Sequence, residues 1–405
     1  RRPPRSTLFP YTTLFRSVKR INQFNSGIAE QLLKRKKEAI LESPFRFYRG
    51  TCHLFAEDFV KLAKYKPKIT SWICGDLHFE NFGSFKAENR LVYFDLNDFD
   101  ESILAGPEPE ACRFLTSVCI AASQMKVAPI TLNKALFDIM TIYCDSVERG
   151  KALMLEERTA QGYFRKYFEQ QGTLNRKDFI DKRTYKKKGA LLLKTDDLRY
   201  YPLEDKVKAK IHDAVAKMLR QSTLSHLVFE DASFRVAGTG SIGIERYCVL
   251  CFSKKHGKYY LLDIKETRPS AYTGLIKVKQ PKFKDNAERV VAAQNMMQFM
   301  PPDYLTKINM GEKWFLVKEL QPKEDSITLE DFEGDFGKLS EVAKEMAKLM
   351  AYAHIRSSGH LVASDADGLR KLVVKKHWIK DIVEISVDMA HINRKYYNEF
   401  VNNTK

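Results

Sequence analysis

The chain has 405 residues, 44% of them hydrophobic, with a mean hydropathy of -0.38 and a formal net charge of +17. That length supports two domains, or one large bilobal fold with a proper core, and the balance is ordinary for a soluble globular protein. No run of about eighteen apolar residues occurs, which excludes a membrane-spanning helix, and no signal-type apolar stretch is visible near the N-terminus.

A positive balance of this size attracts phosphates, nucleic acid or an acidic partner without choosing among them. Seven cysteines stand at 52, 74, 112, 119, 144, 248 and 251. Cys248 and Cys251 have zinc-like spacing, but they lie in a strand-like stretch with no second ligand pair. Reduced, buried thiols in a cytoplasmic protein are the expectation. The first seventeen residues, RRPPRSTLFPYTTLFRS, resemble translated sequencing-adapter DNA and are read as a non-native leader. Without Arg1, Arg2, Arg5 and Arg16 the charge falls to 17 − 4 = +13, still basic.

Taken in order, residues 18–43 have helical spacing and end at Ser43-Pro44. Residues 45–64 predict a second helical region, and 70–74 a short strand running into Gly75. Residues 82–85 and 91–94 predict two strands around a turn. One long helical stretch is predicted over 111–147, then a basic, tyrosine-rich segment over 160–215 with an exposed turn at 186–189. From about residue 230 the chain becomes glycine-punctuated and β-branched: turn, strand, turn, strand up to 263. A helix over 285–300, a strand over 314–320, an acidic linker over 322–336 and amphipathic helices over 338–358 and 371–400 follow. The domain reading is N-terminal helices to 70, a large lobe over 71–225, a small glycine-punctuated lobe over 226–322, and the remainder of the large lobe to 405. The fold class is α+β, with a mostly antiparallel small lobe and a helical large lobe.

Chemistry concentrates in Gly75-Asp76-Leu77-His78-Phe79-Glu80-Asn81-Phe82-Gly83, followed by Phe94-Asp95-Leu96-Asn97-Asp98-Phe99-Asp100-Glu101. Phosphoryl transfer needs a carboxylate near the attacking hydroxyl and oxygen ligands that hold Mg²⁺ against the phosphates. Asp76 and Asn81, five apart in one loop, suit those two roles. The hairpin then returns Asp95, 95 − 81 = 14 residues on, and Asp98 three further. Asp95 has the better spacing and Asp98 the more kinase-like D-F context, so both stand as metal ligands. Asp76 and His78 are the catalytic candidates, with His78 read first as bracing the loop by hydrogen bonding and second as taking protons. The bland alternative for each acid is a solvated turn cap.

This run resembles the G-D-x-H-x-x-N catalytic loop and I-D-F-type metal aspartate of aminoglycoside and choline kinase-like enzymes. More closely, it resembles the bacterial domain-of-unknown-function family 2252, grouped with the protein-kinase-like fold, over residues 44 to about 360. A second matching place is Val236-Ala237-Gly238-Thr239-Gly240-Ser241-Ile242-Gly243, ahead of strand residues and Lys265. The resemblance implies that Gly238, Gly240, Ser241 and Gly243 approach ATP phosphates, that Lys265 neutralises them, and that Glu288 pairs with Lys265. Without that context the glycines make only a tight hairpin. Val317-Lys318-Glu319-Leu320 is similar to the strand and hinge that meet adenine. Ala351-Tyr352-Ala353-His354-Ile355-Arg356 is the third matching place, with His354 structural.

In ordinary kinases the lysine precedes the catalytic loop. Here Asp95 comes 265 − 95 = 170 residues before Lys265, so the resemblance implies circular permutation. After Gly106-Pro107 the family usually has a Trp-Asp pair; this chain has Glu108-Pro109-Glu110, so whatever that aspartate braces is handled here by Glu110 or not at all. The leading expectation is an ATP- and Mg²⁺-dependent phosphotransferase acting on an unknown, anionic substrate. The alternatives are an AMP-transferring enzyme, a nucleotide-binding regulator without turnover, and a nucleic-acid-binding module using the basic run 182–188 with Tyr185.

Overall fold

The computed structural model describes residues 16–172, 175–196, 198–321, 325–375 and 377–404. Four helices open the chain: α1 Arg16–Phe24, α2 Glu30–Leu41, α3 Pro44–Gly50 and α4 Cys52–Leu62. Ser43 accepts from the Arg46 amide as an N-cap, and Pro44 sits where its missing N–H costs nothing, so Ser43-Pro44 starts a helix as well as ending one. Residues 1–15 of the leader lie outside the described residues. Its expected boundary falls inside α1, whose Ser17 is buried and donates to Glu399.

Strands β1 Ser71–Ile73 and β4 Ile103–Ala105 pair antiparallel, enclosing the hairpin β2 Phe82–Lys86 and β3 Val92–Leu96. The long helical stretch is two helices, α5 Glu108–Gln124 and α6 Pro129–Arg149. Lys126 takes a positive φ between them, and Pro129 opens the second. The basic segment folds as α7 Gly162–Gly172, α8 Arg176–Arg183, the hairpin β5 Thr184–Lys187 with β6 Ala190–Leu193, β7 Tyr200–Tyr201 and α9 Asp205–Arg220. Lys188 and Gly189, both at positive φ, make the expected exposed turn.

Then come β8 Leu227–Arg235, β9 Arg246–Ser253, β10 Lys258–Glu266, α10 Asn286–Met297, β11 Thr306–Met310 and β12 Lys313–Leu320. They form a six-stranded sheet, β11-β12-β10-β9-β8-β7, antiparallel throughout. The expected linker contributes β13 Asp325–Ser326, which pairs with β2; residues 322–324 lie outside the described residues. The chain closes with α11 Phe336–Ser357, α12 Ala366–Val373 and α13 Trp378–Asn402, where the sequence suggested two helices. Gly359, at φ +76°, stands just past α11.

The chain is thus α+β, with thirteen helices and antiparallel sheets among the described residues. The two largest hydrophobic cores among the described residues carry it. The larger buries α4, α5, α6, α11 and α13 around β1 and β2, with Trp72, Phe79, Phe82 and Phe114 inside. The smaller lies between α9 and one face of the six-stranded sheet, built from Ile211, Val215, Val249, Leu262 and Val317. All seven cysteines are buried and unbridged. Among the described residues no helix is long and apolar enough to cross a membrane.

Candidate functional site

The loop after β1 is held by α5. Gly75 has φ +83°, and a Cβ there would lie 2.2 Å from the Glu101 carbonyl oxygen, so only glycine lets the two loops touch. Glu110 is fully buried. Its Oε1 accepts from the Cys74 amide at 2.9 Å and the Cys74 thiol at 2.6 Å, and its Oε2 lies 2.7 Å from His354 Nε2. His354 Nδ1 in turn meets the Tyr143 hydroxyl at 2.8 Å. Glu110 therefore does brace the loop, and His354 is structural.

One turn on, Arg113 reaches the next residue of consequence. Its Nε and Nη2 lie 2.7 and 2.6 Å from Asp76 Oδ1, while its guanidinium stacks 3.8 Å over the Tyr48 ring. Burial raises the Asp76 pKa above its ordinary value, and the Arg113 charge only partly offsets that. Asn81 ends a short 3₁₀ turn, Phe79–Asn81, and donates to the Asp76 carbonyl at 2.6 Å. His78 is buried edge-on to Phe45 with no partner at Nδ1; burial and the neighbouring arginines hold its pKa well below the usual range. It is a neutral packing group in this loop rather than the hydrogen-bonding brace expected of it.

The two expected metal aspartates part company. Asp95 is buried, takes Arg356 at 2.9 Å, and accepts from the Leu96 and Phe299 amides at 2.9 and 3.2 Å. Facing α11, it is fully engaged away from the cleft. Asp98 instead faces the cleft with 40% of its side chain exposed. Beside it stands Asp100, which the sequence argument did not single out. Lys265 ion-pairs with Asp100 and lies 3.5 Å from Asp98. Burial would raise Asp98, but Lys265 more than offsets it and keeps that carboxyl below its ordinary value. Asp100 is pushed up by burial and by Asp98, against the pull of Lys265. Burial would lower Lys265, and the two aspartates outweigh that.

Glu288 does not reach Lys265. It accepts from the Lys284 amide at 2.7 Å and lies 3.6 Å from Lys307, closing the first turn of α10. Its neighbour Arg289, about 100° further round the helix, points to the site instead. Arg289 donates to the Asp100 and Arg268 carbonyls, both at 2.9 Å, tying the acidic loop to the end of β10.

The glycine-rich turn joins β8 to β9, with Gly238 at φ +75° and the Ser241 amide bonded to the Gly238 carbonyl at 3.2 Å. Gly238 borders a cleft of about 270 Å³ that also holds Asn81, Asp98, Asp100, Lys265 and Lys318. Gly240 and Ser241 border a second cavity, of about 530 Å³, that shares Asp98 and Asp100 with the first. Gly243 belongs to neither lining: at φ +95° it packs on Ile28, leaving no room for a Cβ. Buried Asp263 clamps Arg235 at 2.7 Å and Arg246 at 2.6 Å, and these two arginines hold its carboxyl far below its ordinary pKa. Both arginines border the first cleft, as do Leu316 and Leu320 of β12.

Among the described residues no three His, Cys, Asp or Glu side chains converge on a metal position. Two carboxylates with the Asn81 amide still suit Mg²⁺, which keeps several waters and takes its remaining ligands from phosphates.

Sequence reasoning missed Arg113, Asp100, Arg235, Arg246 and Asp263. Asp100 stood within the quoted acidic run, and Arg113 is three residues after Glu110 on one helical face. The Asp263 clamp left no signal, because its members meet only across paired strands. Comparison with curated proteins and with solved structures finds no match. The family described as an uncharacterized protein conserved in bacteria (DUF2252) matches residues 29–403, and the chain belongs to it.

Proposed function

We propose that the 270 Å³ cleft binds ATP with Mg²⁺ in a kinase-like, bilobal arrangement and transfers its terminal phosphoryl group to an acceptor hydroxyl. One observation carries this reading: Lys265, on β10, the second strand after the glycine-rich turn, meets Asp98 and Asp100, from the loop that follows Asp76 and Asn81. A phosphate-neutralising lysine and a pair of metal-ligating carboxylates are the parts phosphoryl transfer requires. Lys265 would neutralise phosphate oxygens, and Asp98, Asp100 and Asn81 would hold the metal, whose charge would offset that developing on the phosphates. Arg235 and Arg246, fixed by Asp263, add positive charge. Leu316 and Leu320 offer an apolar surface to the base.

Asp76 takes the acceptor's proton as the acceptor oxygen bonds to the γ-phosphorus and the bond to the bridging oxygen of ADP breaks. Its raised pKa suits a base that must accept that proton. The Arg113 contact favours a second reading, a nucleotide-binding regulator, since an ion-paired carboxylate is a weaker base.

Calorimetry of MgATP with wild type, Asp98→Asn and Lys265→Ala tests the site. Micromolar binding is expected, weakened at least tenfold in each variant, and no binding in the wild type overturns the reading. With bound nucleotide, release of ADP separates turnover from mere binding. Label retained from α- rather than γ-labelled ATP would assign AMP transfer.

A further inference from the structure

The cleft assigned to nucleotide is not the larger cavity at the aspartates. The 530 Å³ cavity shares Arg49, Asp98 and Asp100 with it and adds Asp76, the proposed base. Its other wall comes from the turn between α1 and α2, from α2 itself and from the segment after β10. An acceptor of a phosphoryl group must lie in line with the nucleotide and within reach of the base. This cavity adjoins the first at Asp98 and Asp100 and has Asp76 in its wall.

Its lining carries the carboxylates of Asp76, Asp98, Asp100, Glu101 and Glu266 and three cations, Lys36, Arg49 and Arg268, and it is the pairing of the cations that indicates what the acceptor carries. Arg49 is matched by Glu80, and Arg268 by Glu266 at 3.2 Å. Lys36 is not matched. The residue is only 4% exposed, its Nζ donates to the Gly240 carbonyl at 3.3 Å, and among the described residues no carboxylate lies within ion-pair distance of it. Burying an ammonium without a counter-ion is costly, and such groups persist where an anion completes them. Burial and the Arg268 charge lower the Lys36 pKa to about 8, with Glu101 pulling the other way, as expected of a lysine lacking its partner. A structural lysine buried for stability would have a carboxylate beside it.

We propose that the 530 Å³ cavity is the acceptor site, and that it takes a small hydroxyl-bearing molecule already carrying an oxyanion group, which Lys36 holds with the help of Arg268. This deepens, and rests on, the phosphotransferase reading. The oxyanion is a phosphate ester or a carboxylate; the two share the chemistry that Lys36 recognises.

The test titrates inorganic phosphate and, separately, acetate into Lys265→Ala protein, in which the nucleotide cleft has lost its lysine, with and without Lys36→Met. At least a tenfold loss of affinity for either anion on adding Lys36→Met is expected. Loss for phosphate assigns the ester, and loss for acetate the carboxylate. Unchanged affinity for both overturns the proposal. Lys36→Met alone should melt no lower than wild type, since it removes an unpaired buried charge; a lower melting temperature would mark the lysine as structural and also overturn it. Should that variant fold poorly, Arg268→Gln, at a half-exposed position, is expected to lower phosphate or acetate affinity severalfold. MgATP binding to Lys36→Met is measured in parallel. Its absence in wild type as well defeats the phosphotransferase reading, while anion binding that depends on Lys36 still reports on the cavity.

Discussion

At the scale of single residues the site depends on groups that never touch the cleft. Glu110 serves both the Cys74 amide and His354 from a fully buried position, so its removal leaves two polar partners stranded. Glu110→Ala is therefore expected to lower stability by about 3 kcal/mol in urea denaturation. Glu110→Gln should cost less, because it keeps one acceptor. Glu101 provides a pH test. Burial raises its pKa from 4.5 to about 7, against the Ala271 amide that it accepts from. The folded state thus binds its proton more tightly than the unfolded chain does. The resulting stabilisation is complete below pH 4.5 and is lost as pH rises through about 7. Urea denaturation of Glu101→Gln should show a shallower fall in stability between those values, and equal slopes would refute the assignment.

At the scale of elements, the β1 loop and the acidic loop are positioned by one tight contact and one helix. Gly75 and Glu101 meet backbone to backbone. Gly75→Ala combines a left-handed φ with a clash that no side-chain rotation can relieve. A loss of about 3 kcal/mol is expected from thermal unfolding. The helix is α10, which turns Arg289 to the acidic loop while Glu288 closes its own first turn. Arg289→Met is expected to weaken MgATP binding by calorimetry more than Glu288→Gln does, reversing the order that a kinase-like lysine–glutamate pair implies. Both variants remove charge, so the contrast reads geometry.

For the whole molecule, the decisive feature is that two cores meet at the aspartates. The helical core supplies Asp76, Asn81, Asp98 and Asp100, and the six-stranded sheet supplies Lys265, Arg235 and Arg246. A ligand that contacts both halves stabilises the folded chain by mass action. MgATP at a hundred times its Kd should add about 2.7 kcal/mol, read as a raised melting temperature. At the same MgATP concentration Lys265→Ala, bound at least tenfold more weakly, should gain about 1.4 kcal/mol or less. Equal shifts in the two proteins would mean that nucleotide binds elsewhere.

Local pattern was enough for the sequence to determine the α+β class, the β2–β3 hairpin, the turn at 186–189, and the residues of one family. Each of these is written in spacing, turn residues or contiguous motifs. The chain also carried Asp76, Asn81, Asp98 and Lys265 in recognisable surroundings. Other outcomes belonged to tertiary structure. Asp95 and Asp98 look alike in sequence, yet Arg356, 261 residues away along the chain, claims the first and leaves the second to the cleft. Glu288 and Arg289 are neighbours whose directions differ by a helical step, which no motif encodes once the docking of α10 is unknown. The break at Lys126 and Pro129 was hidden by continuous helical periodicity on both sides. Lys36, one of several lysines in the helical stretch 18–43, became a buried cation only when the glycine-rich turn folded over it. Burial and pairing are properties of the packed molecule, because they depend on which distant surfaces meet.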